Sequence, residues 1–93
     1  MWITKENINE FIEGSSMDCP DMDITHIEYI PDGITGLYCW NNKLTELPKL
    51  PNSLTYLDCG NNNLPYKITI KNFKEHNTLL KRKLILEKIR LYH

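Results

Sequence analysis

The chain has 93 residues, 41% of them hydrophobic, and 11 Lys+Arg against 12 Asp+Glu for a net charge of −1. This is room for one small domain with a modest core. It excludes a uniformly basic nucleic-acid binder and an acidic disordered tail. No apolar run reaches the roughly 18–20 residues that a membrane span needs.

The N-terminal stretch opens the series of predicted elements. Residues 3–13 read as a helix, with Thr4 as N-cap, Ile3 and Ile8 as a hydrophobic staple and Gly14 as the stop. Ile8, Phe11 and Ile12 share one face of it. Residues 1–14 are therefore expected to form a capping helix, with Trp2 covering the first coil of the central segment. Lys5, Glu6 and Glu10 interrupt any secretory leader. Three cysteines, an odd number, fit a reducing compartment better than a disulfide framework. The expected location is the cytoplasm.

The centre of the chain carries an internal repeat. Cys19, Cys39 and Cys59 are 20 residues apart, and a shift of 20 aligns Ile34–Leu44 with Leu54–Leu64. Within that alignment Leu37, Cys39, Asn42 and Leu44 fall on Leu57, Cys59, Asn62 and Leu64. The pattern L-x-x-L-x-L-x-x-N-x-L is the leucine-rich-repeat signature with Cys in one inward slot. It predicts short parallel strands around Leu37–Trp40 and Leu57–Gly60, whose alternate residues face core and solvent. Cys19, Cys39 and Cys59 are expected to stack as small buried hydrophobes. Asn42 and Asn62 are expected to form a ladder of hydrogen bonds to loop backbone. Pro31, Pro48 and Pro51 predict an extended, non-helical return path on the convex side.

These residues resemble a known family. Leu47-Pro-Lys-Leu-Pro51 resembles the return path of the short leucine-rich repeats in secreted bacterial effector proteins. The run Leu37-Tyr-Cys-Trp-Asn-Asn-Lys-Leu44 is similar to repeats in uncharacterised proteins of giant DNA viruses. The resemblance covers about residues 15–66. It implies an α/β repeat fold: a solenoid of about two and a half 20-residue turns, parallel concave strands, and helices at both ends. If the source is viral, the expected location is the host cytoplasm.

Residues 67–93 close the chain. A helix is expected from about Ile70 to Tyr92, with a break near Asn77-Thr78 as one alternative. Phe73, Leu80, Leu84 and Leu91 make a narrow stripe suited to closing the solenoid. Leu79, Leu86 and Ile89 fall elsewhere on the helix and are candidate partner-binding residues. The segment holds eight Lys/Arg and two acids, a balance of +6, against −7 for residues 1–66 with three Lys and ten acids. An acidic body thus carries a basic tail.

Residues suited to catalysis or metal binding form no constellation. The cysteines do not make the close pairs of a zinc site, and His26, His76 and His93 share no metal-ligand spacing and read as exposed. No catalytic residue, cofactor or metal is assigned. The outward strand positions are more informative. Asp18, Tyr38, Trp40, Tyr56 and Asp58 would line the concave face, and Tyr and Trp are enriched at binding hot spots. They are equally good strand formers. The expected function is non-catalytic protein–protein interaction through this face, the C-terminal helix, or both. A homodimer through the helix is one mode. The alternative is a nucleic-acid or membrane-surface adaptor using residues 67–93, with nucleic acid disfavoured because the charges are spread round the helix.

Overall fold

In the computed structural model, residues 1–91 are described, with side chains described through Lys88. Ile89, Leu91, Tyr92 and His93, on which part of the expected helix rests, therefore lie outside the described side chains. The strands are short: β1 (Trp2–Ile3), β2 (Ile12–Glu13), β3 (Ser16–Asp18), β4 (His26–Ile27), β5 (Gly36–Tyr38) and β6 (Tyr56–Asp58). One helix, α1 (Phe73–Leu91), comes after them.

A mixed four-stranded sheet runs in the order β2-β3-β5-β6. β3, β5 and β6 pair in parallel, with Met17 opposite Leu37 and Leu37 opposite Leu57. These residues point inward with Cys19, Cys39 and Cys59, while neighbours on either side along the chain point out. Such alternation is what a one-sided core demands of a strand. At one edge the chain doubles back: β2 pairs antiparallel with β3, Ile12 opposite Met17 and Glu13 opposite Ser16. Gly14, at φ +61°, makes the turn. The second sheet is a parallel pair, β1 with β4, Trp2 opposite His26 and Ile3 opposite Ile27. Between the sheets lies one core that includes Ile3, Met17, Ile24, Leu37, Leu44 and Leu50.

This arrangement corrects the expected leucine-rich-repeat solenoid with its extended convex side. The chain forms a small compact α/β body of two sheets, with a Cα radius of gyration of 13.6 Å. Three strands share the 20-residue offset, β3, β5 and β6, and the parallel stack ends at β3, whose other edge is taken by the antiparallel β2. The N-terminal segment returns to pair with β4, and β2 closes the edge beyond β3.

The expected N-terminal helix over residues 3–13 is absent. Ile3 is a fully buried strand residue, and Ile8–Phe11 form a single 3-10 turn before β2. The pairing of Ile12 with Met17 across the turn at Gly14 decides against the longer helix. Asn7 Oδ1 accepts the Thr4 N–H at 2.8 Å, and its amide donates to the Trp2 carbonyl at 3.0 Å. Asn72 makes the same bonds to Thr69 and Lys67 directly before α1, so this turn can start a helix and does not set its length. One tight turn buries Ile8 and Phe11. Trp2 does not cover the core. It is 62% exposed and lies against His26 at a ring-centroid distance of 4.6 Å.

α1 is continuous through Asn77-Thr78. Phe73 and His76 are buried, and Asn77 and Leu80 half-buried, on one face at spacings of three and four. Asn77 acts as a clamp: its Oδ1 accepts the Leu50 N–H at 2.8 Å and its amide donates to the Leu50 carbonyl at 2.7 Å. Leu84, expected on this closing stripe, is 60% exposed and lines an open groove with Lys49.

Candidate functional site

Two buried features organise the sheet. The first is the set of thiols. Cys19, Cys39 and Cys59 are free and buried, and the Cys59 Sγ donates to the Ile68 carbonyl at 3.1 Å. Burial pushes the Cys19 thiol up to about 12 from an ordinary value of 9, with Asp18 adding to the shift. Burial is also the main cause of the rise at Cys39 and Cys59, helped at Cys39 by its cysteine neighbours and at both by Asp58. A thiol held protonated and out of solvent is a poor nucleophile and metal ligand. Among the described residues no cluster of three or more His, Cys, Asp or Glu is placed to hold a metal ion.

The second feature is the asparagine pair. Asn42 Oδ1 accepts the N–H groups of Met22 and Ile24, both at 3.0 Å. Its amide donates to the carbonyls of Cys19, Cys39 and Trp40. Asn62 takes the same role one strand on: it accepts from the Leu44 N–H at 3.0 Å and donates to Cys39, Cys59 and Gly60. The residue before each, Asn41 or Asn61, has a left-handed backbone with φ near +50°, as does Asp21 at the matching place. Asn and Asp tolerate that region better than other L-residues.

These anchors hold the outward face of the sheet in register. Asp18, Tyr38 and Asp58 form one row across β3, β5 and β6, so Tyr38 stands between two carboxylates. Tyr38 also lies over Gly36, where an added Cβ would come within 3.1 Å of the ring. Its ring is 5.2 Å from Tyr56 and 6.0 Å from Trp40, the latter edge-on. The three aromatics thus make one continuous strip beside the acids. Tyr56 is 56% exposed, and Tyr38 and Trp40 are half-buried. Asp58 accepts the Gly60 N–H and Asp18 the Ser16 hydroxyl. Among the described residues neither carboxylate has a cationic partner.

The C-terminal candidates lie apart from this face. Leu79 and Leu86 are 48% and 58% exposed on α1, while Ile89 is outside the described side chains. The histidines divide. His26 is half-buried with its ring 3.9 Å from Glu46. His76, expected to be exposed, is buried, with Nε2 3.1 Å from the Pro48 carbonyl and Nδ1 2.7 Å from the Tyr66 hydroxyl. Sequence reasoning missed the His76–Tyr66–Asn77 cluster because His76 and Asn77 pair with the backbone of a distant return segment, at Pro48 and Leu50, and Tyr66 pairs with His76. No spacing in the chain announces such a contact.

No protein family, curated protein or solved structure matches this chain. No helix among the described residues is long and apolar enough to cross a membrane.

Proposed function

We propose that the protein is a non-catalytic protein-interaction module that binds through Asp18, Tyr38, Trp40, Tyr56 and Asp58. The observation that carries this reading is the solvent-facing Trp40–Tyr38–Tyr56 strip, half-buried at Tyr38 and Trp40 and exposed at Tyr56, flanked by two carboxylates without cationic partners among the described residues. Aromatic rings offer large contact area with few rotors to freeze, which is why they dominate binding hot spots. The carboxylates would select a partner with Lys or Arg, whose side chains also favour the faces of Tyr and Trp. The protonated, buried thiols support the non-catalytic half of the reading.

Site-specific photo-crosslinking tests it. A crosslinking residue at Tyr56 is compared with one at Lys49, in an extract of the cell that makes the protein. Tyr56 is expected to capture a discrete set of proteins, and the double variant Tyr38→Ala/Trp40→Ala to lose them. Equal capture from both positions, or capture unaffected by the double variant, would overturn the reading.

A further inference from the structure

Among the described residues, the part of α1 beyond Leu80 buries no side chain against its own body. Residues 81–88 are all exposed, and Leu84, Ile85 and Leu86 are between 48% and 60% exposed. A helical stretch this short is marginal in water without tertiary packing. Leu79, Arg82, Lys83 and Leu86 stand at i, i+3, i+4 and i+7, so two leucines bracket two cations in one stripe. The stripe is about 10 Å long at the α-helical rise. The row Asp18–Tyr38–Asp58 spans two strand spacings, again about 10 Å. Among the described residues no ion pair involves either set.

Charge decides between the ways these surfaces can be covered. Two α1 helices laid side by side would bring Arg82 and Lys83 against their own copies, and like charges at an interface repel. The acid-aromatic row offers the opposite sign, with rings for the leucines to pack on. The same complement holds for the halves of the chain, −7 over residues 1–66 and +6 over residues 67–93. From this we infer that the protein self-associates by laying the Leu79–Leu86 stripe of α1 in one copy on the Asp18–Tyr38–Asp58 row of a second. The contact is made twice, about a two-fold axis. The inference rests on the sheet face being a protein-docking surface and names its occupant.

The test is a charge swap read by sedimentation over the micromolar range. Wild-type protein is expected to form a dimer. Asp18→Lys/Asp58→Lys alone and Arg82→Glu/Lys83→Glu alone are each expected to weaken it on the order of a hundredfold, since like-charge juxtaposition costs several kcal/mol. An equimolar mixture of the two variants is expected to dimerise again, because every contact then joins opposite charges. That restoration cannot come from misfolded chains, and Leu86→Glu, at an exposed site, provides a second disrupting variant. A wild-type monomer throughout this range overturns the inference. So does a dimer that survives the aspartate reversal, which would place the interface between helices. So does a monomer that binds vesicles of anionic phospholipid through Arg82 and Lys83. A monomer whose Tyr56 still crosslinks another protein overturns the inference and leaves the proposed function standing; a monomer without face-dependent crosslinks overturns both.

Discussion

Asn42 satisfies five backbone groups with one amide, two N–H donors and three carbonyl acceptors, and it is 93% shielded from solvent. Removing it strands several of those groups at once. Asn42→Ala is therefore expected to destabilise by about 2–4 kcal/mol, and the less buried Asn62→Ala by about 1–3 kcal/mol. Urea unfolding of both variants checks the size and the order. The thiols give a second prediction at this scale. Between pH 9 and about 12 the unfolded chain loses thiol protons that the folded chain retains at Cys19. The unfolded state then binds fewer protons, so stability falls as pH rises through that window. Cys19→Ala is expected to make the fall shallower in thermal melts taken across it. At pH 8 the native thiols are expected to react with a labelling reagent only after denaturation.

At the scale of elements, the 20-residue spacing of Cys and Asn was readable because strand periodicity and an inward slot leave a pattern in the chain. That spacing is the offset between paired residues of β3, β5 and β6. The pattern did not show where it would stop. Nothing in Ile12-Glu13 distinguishes the end of a helix from a two-residue strand folding back on Ser16-Met17; the pairing of Ile12 with Met17 across the turn at Gly14 decides the matter. The outward row Asp18, Tyr38, Asp58 was legible from alternation alone. The stacking of Tyr38 on Gly36 and Tyr56 was not, since it depends on register across strands. The left-handed residue ending each strand loop supplies the prediction here. Asn61 sits at φ +51° and its amide donates to the Asn41 Oδ1 at 2.6 Å. Asn61→Val is expected to cost about 1–2 kcal/mol, from the clash of a Cβ-branched residue in that region. Asn61→Gly is expected to cost much less, because glycine takes that backbone freely. Comparing the two unfolding midpoints separates backbone strain from loss of the amide contact.

For the whole molecule, α1 has two halves with different roles. Phe73, His76, Asn77 and Leu80 tie its first half to the body through the core and the Pro48–Leu50 segment. The second half reaches past the body and gives the molecule its long dimension of 44 Å against 26 and 24 Å for the others. Phe73→Ala is accordingly expected to cost about 3–5 kcal/mol, lowering the melting midpoint by more than about 10 °C in a domain of this size. Removing residues 82–93 deletes no described side chain that is buried, so in dilute solution the midpoint is expected to move by less than about 3 °C. Concentration then separates folding from association. Any partner that binds only the folded state raises the midpoint by mass action, and for a second copy that rise grows with protein concentration. The midpoint of the full chain is expected to climb across the micromolar range, while that of the shortened chain stays flat. If both stay flat, the exposed leucines of α1 have no partner in a second copy. If both climb equally, the copies meet through the body, and the helix plays no part in holding them together.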